Sequence, residues 1–249
     1  MYIVQYWNAK PIPAYIMPLV RSYQELNPWA TYAIFDEATA AQFISANFSS
    51  REVAAFRSCA VPAMQADYFR YCSILALGGA YADADTLCIG SIRPLLNETL
   101  EEGALFILPN GNIMNAFFLF RLEGSPFLQA AMEIATANIE NRIAEDIWLT
   151  TGPGIFSFMY AIYMKLVRSR RSISQVANHE YDRVPPYVDL MCLTLGSFSR
   201  LAEIFERVSV VPSAWLDSYV QMHSLHLPYK ATEVHWTNVR SSIYRSSTL

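Results

Sequence analysis

Gly78-Gly79-Ala80-Tyr81-Ala82-Asp83-Ala84-Asp85 is the stretch whose reading decides the fold. A glycine pair lets the backbone turn where a side chain would clash. An apolar helical pattern stops at that pair, and an extended segment begins at Tyr81. In an extended chain, side chains two apart share a face, so this reading groups Tyr81, Asp83 and Asp85. Two carboxylates on one face repel each other unless a cation or water stands between them. The apolar residues before the pair and Leu87-Cys88-Ile89 after it argue against a freely solvated loop. A hard divalent cation, Mn²⁺ or Mg²⁺, suits such an oxygen-donor pair. A bare Asp-x-Asp is expected about once by chance in a chain of this size. Its setting, between a helix carrying Asp67 and Arg70 and a buried strand, makes it a candidate metal and phosphate site.

Working outward, the helix that leads into the pair starts near Pro62, a residue suited to a first turn, and runs to Leu77. Asp67 and Arg70 are three apart on it and share a face, while Met64, Tyr68, Tyr71 and Leu75 form an apolar stripe. Upstream, residues 2–7 read as a strand that delivers Trp7 to the loop Lys10-Pro11-Ile12-Pro13. Residues 14–26 read as a helix, 30–35 as a second strand, 38–47 as a helix and 51–58 as another. Short alternating strands and helices define an α/β domain with a mostly parallel central sheet. Downstream the pattern is helix-rich over 127–143, 154–167 and 197–207, so helical insertions flank the sheet. The basic cluster Lys165, Arg168, Arg170 and Arg171 reads first as a solvated helix end, and second as a contact to an anionic membrane leaflet.

The 249 residues are 53% hydrophobic and 16% charged, which fits a folded domain and excludes disorder. A net charge of −4 gives no basic footprint, so nucleic acid is not an expected partner. No apolar run is long enough to cross a bilayer, and Met1-Tyr2-Ile3-Val4 lacks a basic leader. A cytoplasmic enzyme, with peripheral contact at the inner face of the membrane as the further option, is therefore the expectation. Cys59, Cys72, Cys88 and Cys192 are far apart, without a C-x-x-C pair, so neither zinc nor redox chemistry is indicated. With no repeat and no low-complexity linker, residues 1–249 read as one domain.

The series Asp67-x-x-Arg70-Tyr71 followed by Gly78-Gly79-Ala80-Tyr81-Ala82-Asp83-Ala84-Asp85 resembles the sugar-binding region of DXD-motif glycosyltransferases. That group (glycosyltransferase family 32-like, with a GT-A, Rossmann-like fold) includes mannosyltransferases, lactosylceramide galactosyltransferases, bacterial polysaccharide-synthesis enzymes and the clostridial glucosylating toxins. The first 95 residues carry most of the likeness. Ile3-Val4-Gln5-Tyr6-Trp7 and Tyr32-Ala33-Ile34-Phe35-Asp36 are similar to its first two strands. Asn115, Thr151-Gly152-Pro153, Val208–Ser213 and His235-Trp236 resemble later segments. The usual spacing from His235-Trp236 to a further Trp is missing.

The resemblance implies a nucleotide-sugar-binding part over about 1–120 and a helical, acceptor-side part over about 121–249. It implies metal ligation by Asp85, with Asp83 and His235 as the other candidates, and donor-sugar contacts from Asp67, Arg70 and Asp83. Trp7 would stack on the base, with Tyr81 and Asn115 lining the donor site and His235 and Trp236 closing over the phosphates. The implied reaction moves a hexose from a UDP- or GDP-sugar to a saccharide or glycolipid acceptor, with retention, in polysaccharide or glycoconjugate synthesis. A metal-dependent phosphohydrolase or nucleotidyltransferase also uses paired Asp residues, but neither G-x-x-x-x-G-K nor G-x-G-x-x-G occurs here. A catalytically silent sugar-binding protein is the other alternative.

Overall fold

The computed structural model describes residues 1–97, 102–169, 203–222, 226–232, 235–239 and 242–245. The chain opens with β1 (Tyr2–Tyr6), α1 (Met17–Leu26), β2 (Thr31–Phe35), α2 (Glu37–Asn47), α3 (Ser50–Ser58) and α4 (Pro62–Leu77). Then follow β3 (Gly79–Ala82), β4 (Leu87–Cys88), α5 (Arg93–Asn97), β5 (Gly103–Ile107) and β6 (Ile113–Phe120). The second half holds α6 (Pro126–Glu140), α7 (Ile147–Thr150), α8 (Pro153–Ser169), β7 (Val208–Pro212) and β8 (Val220–Gln221). Three short 3₁₀ turns, Ser213–Ser218, Pro228–Ala231 and Trp236–Asn238, complete it.

Six strands form the main sheet in the order β2-β1-β3-β6-β5-β7. β2, β1 and β3 are parallel, β6 is antiparallel to both β3 and β5, and β7 is parallel to β5. The sheet is therefore mostly parallel, with one reversed strand at its centre. Alternation along the strands separates two apolar layers. Val4, Tyr81, Phe118 and Phe120 pack with α4, α6 and α8 on one face, whereas Ile3, Ala80, Ala82, Phe117 and Leu119 pack with Tyr23 on the other.

β3 is the strand that positions the site, and its placement rests on Gly79. That residue has φ 109°, and a Cβ there would run into the Tyr2 carbonyl of β1. Only glycine lets the strands approach this closely. α4 enters the same turn through Gly78, at φ 62°.

The period-2 reading beyond β3 needs correction. Asp83 and Asp85 lie on a turn after the strand, which ends at Ala82. The Thr86 amide and hydroxyl both donate to the Asp83 carbonyl, at 3.1 and 2.6 Å, and Gln5 Nε2 donates to it at 3.3 Å. Those bonds consume the carbonyl that a continuing strand would have offered to a neighbour. Thr86 is itself hydrogen-bonded to the buried Tyr23 hydroxyl at 2.6 Å, which fixes the turn to α1.

The C-terminal part returns to this turn. β8 pairs antiparallel with β4, just after the acidic pair, so the chain beyond β8 is delivered to the carboxyl end of the sheet. Cys59, Cys72 and Cys88 are buried free thiols, as expected, while Cys192 lies outside the described residues. Of the helix expected over 197–207, the described part starts at residue 203. Arg168 and Lys165 are described in backbone only, and Arg170 and Arg171 lie outside the described residues. Among the described residues no helix is long and apolar enough to cross a membrane.

Candidate active site

The site has a floor inside the core and a roof on the surface. The floor is built on α4, whose buried positions surround the helix because it is packed between the sheet and α2, α3 and α6. Such a helix admits a charged pair only if every polar atom is satisfied. Arg70 meets that condition. Its Nη2 lies 2.9 Å from Asp67 Oδ1 and 3.0 Å from Asp83 Oδ1, and its Nη1 donates to the Asn115 carbonyl at 2.7 Å. Its Nε donates to the Ala66 carbonyl at 3.3 Å, and the guanidinium lies 4.7 Å from the centre of the Tyr81 ring. Asp67 is held in turn by Asn115 Nδ2 at 2.9 Å and Thr151 Oγ1 at 3.4 Å. The Asp67–Arg70 pair expected on one helix face is therefore present, with Asp83 as a third member.

Burial sets the electrostatics of this floor. It raises the Asp67 carboxyl above the ordinary value, against the opposing pull of Arg70, Asn115 and Thr151. Asp83 is raised too, by burial first, with Arg70 opposing and the charges of Asp85 and Asp67 adding. Burial works against the Arg70 charge, but Asp83 and Asp67 more than restore it, so its proton is held more tightly than usual. Exposure grades outward: 4% of the Arg70 side chain and 8% of Asp67 are accessible, against 27% of Asp83. Asp83 is the part of the floor that a ligand can reach. Tyr81 is fully buried and stacks on Phe118 at 5.9 Å, so it supports Arg70 from below.

The roof gathers around Asp85. Tyr229 Oη donates to Asp85 Oδ2 at 2.6 Å, and Lys230 Nζ pairs with the same oxygen at 2.8 Å. The Tyr229 ring meets Trp7 edge-on at 5.4 Å and lies 5.8 Å from His235. Burial first, then the Asp85 charge, raise the Tyr229 phenol. Burial and the Lys230 charge hold the His235 imidazolium less tightly than usual, with Asp85 opposing, while its Nδ1 is 2.7 Å from Thr237 Oγ1. The structure thus brings Trp7, Asp85 and His235 to one place, and Asp67, Arg70, Asp83 and Asn115 to the place below it. The two acids share a turn and feel each other's charge, but each is engaged by its own cation. The side chain of Trp236 lies outside the described residues.

Sequence reasoning missed Tyr229 and Lys230. The contact to Asp85 spans 144 residues, and no local pattern marks it. The hard carboxylate oxygens of Asp85 and Asp83 suit a divalent cation, and an ammonium already stands at Asp85 as a stand-in. Among the described residues no group of three or more His, Cys, Asp or Glu forms a ready-made metal cage.

A mostly parallel sheet with one reversed strand, and an Asp-x-Asp turn at its carboxyl end, are the features by which this chain resembles DXD-motif glycosyltransferases with a GT-A-like fold. Residues 13–102 match the family described as the glycosyltransferase sugar-binding region containing a DXD motif. Among known proteins, the initiation-specific alpha-1,6-mannosyltransferase of Schizosaccharomyces pombe is 22% identical over an alignment covering 77% of this chain and 55% of the relative. The chain thus spans about half the length of that relative. Among solved structures, the PaToxG glycosyltransferase aligns over 89% of this chain and 88% of its own, with a TM-score of 0.50 and 14% identity. The ligand-free glycosyltransferase domain of the YGT toxin aligns over 84% of this chain and 79% of its own, with a TM-score of 0.42 and 11% identity.

Proposed function

We propose that this chain transfers a hexosyl group from a nucleotide diphosphate sugar, UDP- or GDP-linked, to a saccharide or glycolipid acceptor in glycoconjugate synthesis. The observation that carries the reading is the stacking of the two half-sites. A buried Asp67–Arg70–Asp83 network adjoins a turn whose second acid, Asp85, binds Tyr229, the ring that meets Trp7 and His235.

In this reading Asp85, with Asp83 beside it, would hold Mn²⁺ or Mg²⁺. The bound ion would neutralise charge that grows on the departing diphosphate. Arg70, with its fork taken up by protein acceptors, fixes one oxygen of Asp83 and leaves the accessible part of that carboxylate for donor hydroxyls. Asp67 and Asn115 hold Arg70 in place. A negative carboxylate beside the anomeric carbon stabilises the positive charge that develops as the glycosidic bond breaks. Trp7 offers a ring for the base, and His235 closes the phosphate side and excludes water. Retention by front-face attack of the acceptor hydroxyl is part of the same proposal.

Incubation with UDP- and GDP-hexoses and Mn²⁺, with and without simple saccharide acceptors, tests it. The expected products are free nucleotide diphosphate and a lengthened acceptor. Release of nucleotide monophosphate would instead indicate a phosphohydrolase, and binding without turnover a silent sugar-binding protein. Asp85→Ala is expected to lower transfer by about a thousandfold, the usual scale for losing electrostatic stabilisation of a leaving group.

A further inference from the structure

We propose that Lys230 is a tethered counter-cation that competes with a divalent metal ion for Asp85, so that metal loading and release of the Pro228–Ala231 turn are a single event. This rests on the reading of Asp85 as the metal-holding acid.

Three carboxylates, Asp67, Asp83 and Asp85, act on one another in a partly desolvated cluster. Among the described residues two cations face them: Arg70 on the first two and Lys230 on the third. With all three acids ionised and Lys230 absent, the cluster would carry an excess of two negative charges, the charge that one divalent ion neutralises. Arg70 cannot leave, because it is buried and its donors are engaged on both sides. Lys230 can. Its side chain is 29% accessible, and it sits on a four-residue 3₁₀ turn.

Lys230 Nζ and Tyr229 Oη both occupy Asp85 Oδ2, so an incoming ion meets an oxygen that already has two donors. With only 17% of the Asp85 side chain accessible, the ammonium is screened less than at an open surface, and its displacement costs affinity. The same turn carries the Tyr229 ring against Trp7, so releasing Lys230 also loosens that contact. Asn238 Nδ2, donating to the Lys230 and Thr232 carbonyls at 3.1 and 3.0 Å, ties the turn to the segment that follows His235. Metal entry is thereby linked to the whole roof.

The test is Mn²⁺ binding to the nucleotide-free full chain, followed by electron paramagnetic resonance of free Mn²⁺, for the wild type and for Lys230→Met, Lys230→Arg and Asp85→Asn. The expected results are a gain of about tenfold in Mn²⁺ affinity for Lys230→Met, little change for Lys230→Arg, and loss of binding for Asp85→Asn. Tyr229→Phe, which removes one donor and keeps the ring, is expected to gain about threefold and serves as a second variant. If Asp85→Asn loses binding while Lys230→Met and Tyr229→Phe bind no more tightly than wild type, the competition is overturned and the role of Asp85 stands. If Asp85→Asn binds Mn²⁺ like wild type, or if no variant binds it, both readings fall together.

Discussion

The floor and the roof of the site use the same chemistry, carboxylates matched to cations, in opposite settings. Below, Asp67 and Arg70 sit inside a helix packed on all sides, and every nitrogen of the Arg70 guanidinium meets a protein acceptor. Above, Asp85 is matched by Lys230 and Tyr229 from a short 3₁₀ turn at the far end of the chain. A buried ion pair is costly to break, because removing one partner strands the other charge in a poor solvent. A partly exposed pair is cheaper to break, because water reaches the charge that is left behind. The floor is thus built to stay, and the roof to move.

The sharpest way to break that comparison is to remove the cation of the floor. Arg70→Met leaves Asp67 and Asp83 without a counter-charge and is expected to cost about 3–5 kcal/mol of stability. Urea unfolding would measure it. Part of the loss should return at acid pH, where the two carboxyls take up protons. A loss no larger than that of Lys230→Met would show that the two halves do not differ.

A milder cut on the same side is Tyr71→Phe. The Tyr71 hydroxyl donates to the Thr151 carbonyl at 2.6 Å, which ties α4 to the loop that also carries the Asp67 contact. Losing it leaves a buried carbonyl short of its main donor, and about 1–2 kcal/mol of stability should go with it. The unfolding midpoint would fall without a change of slope.

The halves should also respond to pH with opposite sign. Asp67 and Asp83 are raised above the ordinary carboxylate value of 3.8. The native state therefore favours their protonated forms. Their contribution to stability is fully present below that value and is lost as pH rises through their folded values. His235 is lowered below its ordinary 6.5, so its contribution is present above 6.5 and is lost as pH falls through its folded value. Wild type should therefore gain about 1 kcal/mol relative to Asp83→Asn as pH falls through the folded value of Asp83. Against His235→Asn it should lose a smaller amount as pH falls below 6.5. Parallel stability curves for wild type and Asp83→Asn would contradict the assignment.

The floor was largely legible in the sequence and the roof was not. The i, i+3 spacing of Asp67 and Arg70 and the Gly78-Gly79 stop are local features, and helix geometry turns them directly into shared faces and an ended helix. The period-2 reading of the acids failed because it took no account of Thr86, whose hydroxyl captures the Asp83 carbonyl and ends the strand. β6 left no alternating pattern, because Ile113–Phe120 is buried on both faces and is apolar at every position but Asn115. Its reversed direction depends on pairing with β3 and β5, which no local signal encodes. Lys230 is further still from legibility. A lone lysine in a polar stretch looks like any solvated charge until the β4–β8 pairing brings its segment back to the acidic turn.

The smallest expected effect is also the one that separates the halves most cleanly. Tyr229→Phe removes a hydroxyl that donates to a carboxylate at 2.6 Å, a bond as short as that of Tyr71 to Thr151. By distance alone the two substitutions should cost the same. Their surroundings differ, because Asp85 keeps Lys230 as a partner and can recruit water, whereas the Thr151 carbonyl is enclosed. The Tyr229 substitution should therefore change stability by less than about 0.5 kcal/mol, the range usual for surface positions without a buried partner. Urea unfolding of the two variants side by side gives the comparison. A loss from Tyr229→Phe equal to that from Tyr71→Phe would mean that the roof is held as firmly as the floor, and that Lys230 is not free to give way to an incoming ion.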